Sequence, residues 1–96
     1  MSEHDLINQS KEELRKYYHE QLCKDLKDLG FDRANQIKHG WYIISYFEKR
    51  SENYQLLENV TDAIMRVRFR IKEFANEKKL AYIIGIVNNV IKQEVI

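Results

Sequence analysis

Apolar residues recur every three or four positions along most of this chain. Leu14, Tyr18, Leu22, Leu26 and Leu29 form a first stripe, the pattern of a helix with one buried face. Ser10 to Glu13 matches a capping box, in which the serine side chain takes an amide three residues on and the glutamate reaches back. Gly30 follows as a left-handed stop. The first helix is therefore predicted from Lys11 to Leu29. Asp32 can cap a second helix, with Ile37, Trp41, Ile44 and Phe47 on its buried face. Gly40 falls inside it, where glycine costs about 1 kcal/mol relative to alanine. Its presence predicts close packing against another helix beside Trp41. Ser51 offers the next cap. Leu57, Val60, Ile64, Val67, Ile71 and Phe74 then alternate at three and four residues, the spacing of a coiled-coil seam. After a predicted connection over Asn76 to Lys79, a fourth helix carries Leu80, Ile83, Ile84, Val87, Val90, Ile91 and Val95. Apolar over half its circumference, it is expected to be the most buried element.

One stretch supports a rival reading. Met65 to Lys72 alternates apolar and basic residues with the period of a half-buried strand. The seam through the same segment is longer than the alternation, and no Asn-Gly or Asp-Gly hairpin turn lies nearby. With no proline and three glycines, the chain has little turn chemistry, which favours few, long elements. The expected fold is all-α: a compact antiparallel four-helix arrangement with short connections. Residues 1–9 read as a flexible polar tail and 10–96 as a single helical domain.

Composition narrows the function more than the fold. Apolar residues make up 44% and charged residues 32% of the 96 positions, a globular balance rather than a disordered one. A net charge of +1 gives no global case for nucleic acid, so any such case rests on local clusters. Cys23 is the single cysteine and, between Leu22 and Leu26, reads as a packed thiol. No apolar run reaches the roughly 18 residues of a membrane span, and none resembles a signal peptide. A cytoplasmic protein without membrane association is the expectation.

No residue cluster suggests catalysis, a metal or a cofactor. His4, His19 and His39 have no partners at metal-ligand spacing. His19 and Cys23, four apart, would give two ligands where a site needs four, so His19 reads as a surface histidine beside a packed cysteine. Glu12 with Lys16 and Glu20 with Lys24 read as helix-face pairs. An enzyme is not expected, and function is left to surfaces.

Two surfaces stand out. On the third helix Met65 and Phe69 point away from the seam, flanked by Arg66 and Arg70 on one side and by Arg68 and Lys72 on the other. Four cations around an apolar pair suit a phosphate backbone or the rim and centre of a protein interface, and equally a second packed face with snorkelling arginines. On the second helix Tyr42 and Tyr46 share a face near His39 and Asn35, an arrangement that can stack unpaired bases or pack a neighbouring helix.

The last 35 to 40 residues resemble the C-terminal domain shared by the DnaD and DnaB primosomal proteins of Gram-positive bacteria and their phages. That family places a Tyr, an Ile and a Trp at four-residue spacing on a late helix. Here Tyr82, Ile86 and Val90 stand at those positions within Ala-Tyr-Ile-Ile-Gly-Ile-Val-Asn-Asn-Val-Ile-Lys. Val90 replaces the Trp, and Arg68 stands where the family has a small residue. The resemblance implies a non-catalytic module, phage- or mobile-element-encoded, that contacts replication-initiation proteins or DNA through Tyr82, Ile86 and the region of Lys92. The other reading is a homodimeric regulatory protein, joined through the seam and the fourth helix, that inhibits a host protein through its apolar and arginine patch.

Overall fold

The structure, a computed structural model, describes residues 3–95, with side chains placed for 10–94. It contains four helices: α1 (Glu3–Asp28), α2 (Arg33–Glu48), α3 (Leu56–Ile71) and α4 (Asn76–Val95). The all-α expectation holds, and the alternating stretch Met65–Lys72 is helical through Ile71. Burial of one face along a whole helix outweighs a short period-two pattern.

Gly30 stops α1 as the sequence predicts, with φ at +98°, where a side chain would be strained. The amide of Phe31 returns to the Leu26 carbonyl. Asp32 caps α2, its side chain accepting from the Asn35 amide at 2.8 Å. Other boundaries differ from expectation. Helix α1 begins at Glu3, so Ser10 to Glu13 lie inside it and cap nothing. The expected flexible tail over 1–9 falls on residues whose side chains are outside those described. Ser51 accepts from the Asn53 amide and shapes the turn, whereas α3 starts behind Gln55 with no side-chain cap. The predicted connection Asn76–Lys79 is the first turn of α4. Helix α3 ends at Ile71, so Phe74 lies in the turn that follows.

Consecutive helices run antiparallel as two hairpins, α1–α2 and α3–α4, which hold the most extensive packing. The hairpins meet along α1 with α3 and, more lightly, α2 with α4. These cross-hairpin pairs are parallel. Tyr18 donates to Glu58 near the start of α3, while Asp28 lies beside Met65 and Lys72 at its end. Tyr46 donates to Asn88 at 2.9 Å, and Lys79 reaches the α1–α2 turn at the other end.

The core draws on all four helices: Leu22, Leu26 and Leu29; Ile43, Ile44 and Phe47; Leu57, Val60, Ile64 and Ile71; Ile83 and Val87. Three expectations fail here. Leu14 and Ile37 are exposed, because the stripe of α1 reaches past the partner helices and α2 turns Ile43 inward instead. Among the described side chains, helix α4 buries only Ile83 and Val87 fully, and leaves Leu80, Ile84, Ile86, Val90 and Ile91 half-buried. It packs on α3, touches α2 lightly and leaves its remaining side uncovered, so it is not the most buried element.

A buried lysine ties the hairpins together. Lys79 of α4 donates to the Leu29 carbonyl at 2.7 Å, supplying the partner that the end of α1 otherwise lacks. Lys79→Met is expected to lower stability by about 1 kcal/mol, measured by urea unfolding. An unchanged midpoint would show that water replaces the ammonium at no cost.

Candidate functional site

The ridge on α3 is exposed at its centre. Ile64 and Ile71 fix the inward face of the helix, which turns Phe69 to solvent with 74% of its surface exposed. It is the most open large apolar residue among those described. Met65, one turn earlier, is half-buried. Arg68 lies with its guanidinium 4.7 Å from the Phe69 ring centre and donates to the Met65 carbonyl at 3.0 Å. It is therefore held as part of the ridge. Lys72 borders the same shallow depression, with Asp28 of α1 on the far wall. Arg66 and Arg70 are exposed on the other flank. Arg66 opens onto a groove between α3 and α4, lined also by Asp62, Asn89, Gln93, Ile86 and Val90. The two-flank arrangement expected from the sequence is present, and carboxylates interrupt both flanks.

The residues singled out by the resemblance lie on the α3-facing side of α4. Tyr82 is half-buried against Phe74, with ring centres 5.9 Å apart. Ile86 and Val90 floor the groove beside Arg66, and Lys92 is exposed. Only Ile86 and Val90 adjoin the arginine ridge.

The aromatic face of α2 is divided. Tyr42 is exposed, whereas Tyr46 is half-buried, bonded to Asn88 and covered by Arg50 at 3.5 Å from its ring centre. Tyr46 is thus occupied in joining α2 to α4. His39 stacks edge-on against Phe31 at 5.4 Å, and burial with neighbouring Lys38 lowers its pKa.

Several features escaped the sequence reading. His19 is buried, not at the surface. It stacks on Trp41 at 3.8 Å between ring centres and 10° between planes, and its Nε2 lies 3.0 Å from the Ile37 carbonyl. Gly40 gives it room, since a Cβ there would fall 2.9 Å from the imidazole. Cys23 is buried beside it, as expected. Burial pushes its thiol pKa up, while Arg33 pulls the other way. Arg15 and Glu48 form an ion pair at 3.1 Å, joined by the Tyr54 hydroxyl. The expected Glu12–Lys16 and Glu20–Lys24 pairs do not form among the described residues.

Asp25 is the least expected feature. It is 9% exposed, and its Oδ2 has no hydrogen-bond partner. Burial first, then Asp28 and Asp62, push its carboxyl pKa up to about 7. The signal was present: Leu22, Asp25, Leu26 and Leu29 share one stripe, which places a carboxylate on a core-facing side.

Among the described residues no group of His, Cys, Asp or Glu is arranged to hold a metal ion, and no helix is long and apolar enough to cross a membrane. The arrangement offers surfaces for binding. Comparison of the chain with protein-family models, with curated proteins and with solved structures finds no match.

Proposed function

We propose that this chain is a non-catalytic helical binding module that docks a protein through the α3 ridge. The supporting observation is Phe69, largely in water yet ringed by Met65, Arg66, Arg68, Arg70 and Lys72. Burying such a ring against a partner recovers about 2 kcal/mol, and aromatic and arginine side chains carry much of the energy of known interfaces. The complementary partner presents an apolar side chain flanked by carboxylates, which would meet Arg66 and Arg70. A replication-initiation protein of a Gram-positive bacterium or its phage is the partner class that the resemblance of the last third implies.

DNA is the second reading, favoured by four cations between residues 66 and 72. Asp28 beside Phe69 and Asp62 beside Arg66 weigh against it, because they repel phosphate oxygens. Self-association would rest on the half-buried apolar residues of α4, since most of the α3 seam is spent on the core.

The test is affinity capture from the native host with wild-type protein, Phe69→Ala and Arg66→Glu/Arg70→Glu. A protein held by the wild type, with affinity lost about tenfold or more in both correctly folded variants, is the expected result. Equal capture by all three rejects the ridge. Anisotropy of labelled duplex DNA at low and near-physiological salt separates the second reading, since phosphate contacts weaken steeply with salt.

A further inference from the structure

A second charged surface lies away from the ridge, where the C-terminal part of α1 meets the first turn of α2. A cleft there is lined by His19, Glu20, Cys23, Lys24, Lys27, Arg33 and Gln36, so that three cations outnumber its one carboxylate. Lys24 and Lys27, three residues apart, lie on one helix face, and Arg33 approaches from α2. None of the three cations forms an ion pair among the described residues, where Arg15–Glu48 alone does. Arg33 is also oriented from beneath. Gln36 is buried, and its Nε2 is fixed on the Phe31 carbonyl at 2.8 Å. This leaves its Oε1 to accept from Arg33 Nη1 at 3.5 Å. A single long bond leaves most of the guanidinium fork free. Arg33 opens α2, where the helix terminus adds partial positive charge.

We propose that this cleft binds a phosphate group, with Lys24 and Lys27 on one side of the anion and Arg33 on the other. The planar fork of arginine suits two phosphate oxygens, and lysine serves as a point charge beside it. The phosphate belongs to a free phosphate compound or to a nucleic-acid backbone. Buried His19 and Cys23 form the floor and hold the two walls together. Asp28, one turn on from Lys24, lines the depression beside α3, whereas the cleft opens toward α2, so the cleft and the ridge share no lining residue and can be tested separately.

The experiment titrates isotope-labelled protein with inorganic pyrophosphate, following amide shifts, and in parallel titrates a labelled single-stranded oligonucleotide, following anisotropy. The variants are Lys24→Glu/Arg33→Glu and, as a control, Arg66→Glu/Arg70→Glu. Gln36→Leu, which frees Arg33 without changing charge, is a further variant, and thermal melts report folding. The expected result is a shift of the Cys23, Lys27 and Gln36 amides with pyrophosphate, weakened about tenfold or more in Lys24→Glu/Arg33→Glu and unaltered in the control. Gln36→Leu is expected to give an intermediate loss. Oligonucleotide binding with the same variant dependence, without a response to pyrophosphate, assigns the phosphate to a nucleic-acid backbone and also supports the proposal. No binding of either probe at low salt overturns it, as does binding that depends only on Arg66 and Arg70. If Lys24→Glu/Arg33→Glu does not fold, Gln36→Leu and the location of the shifts decide alone.

Discussion

Asp25→Asn is expected to yield a protein whose stability no longer falls between pH 5 and pH 8. In the wild type the carboxyl is buried with one oxygen unpartnered, and its pKa is raised from 3.8 to about 7. A group that holds its proton more tightly folded than unfolded favours the folded state most below the lower value. That contribution falls through the interval and is gone once the pH exceeds the higher one. At about 1.36 kcal/mol per pH unit, the upper bound is roughly 4 kcal/mol. Part of it lies below pH 5, and screening and local relaxation reduce the rest, so about 2 kcal/mol between pH 5 and pH 8 is expected. Asparagine keeps the shape and removes the titration. Urea unfolding of both proteins across that range checks this. Parallel pH profiles would show that Asp25 is not the responsible group. Because Asp28 and Asp62 also face it, Asp62→Asn should reduce the slope without abolishing it.

Gly40→Ala is expected to destabilise the protein by about 1 kcal/mol, the cost of overpacking outweighing the roughly 1 kcal/mol by which alanine is favoured over glycine inside a helix. The added methyl would lie 2.9 Å from His19 Cδ2 and 3.0 Å from Nε2. A free side chain would swing aside. This imidazole is held by its stack on Trp41 and its contact with the Ile37 carbonyl, and overpacking against a fixed group costs about 1–3 kcal/mol. The decisive comparison is the same substitution in a His19→Ala background. There the obstacle is gone and Gly40→Ala should stabilise. Thermal and urea melts of the four proteins give the coupling directly. A destabilisation of equal size in both backgrounds would place the obstacle in the backbone instead.

The helices were largely legible in the sequence because their inward stripes are regular. Tyr18, Leu22, Leu26 and Leu29 announce α1, and Gly30 and Asp32 punctuate it in ways that depend only on local geometry. Helix starts were less legible where no side chain caps them. Gln55 carries no signal, and the Ser10 capping box is a correct local motif in the wrong place, because the helix continues through it. The degree to which α4 is covered was not readable. Periodicity tells which residues can share a face but not how many neighbours cover that face, and α4 touches α2 only lightly. The same limit governs the candidate surfaces. The wheel placed Phe69 away from the core correctly, yet could not show that Asp28 of α1 would stand beside it. Arg33 and Lys27 are six residues apart across a turn, and no motif links them. Their convergence follows from the angle at which α2 returns along α1.

The division into two hairpins has a consequence during synthesis. Residues up to Glu48 contain everything needed for α1 and α2 to pack against each other, and they leave the ribosome first. Translation of residues 49–96, which hold α3 and α4, takes roughly 2 to 10 s at ~5–20 residues per second. Over that interval Leu22, Leu26, Ile44 and Phe47 lack the apolar neighbours that α3 and α4 later supply, and the end of α1 still lacks Lys79. The nascent front half is therefore expected to expose apolar surface that a chaperone can bind. Its yield in cells should depend on how quickly the rear half arrives, a dependence that the finished fold conceals.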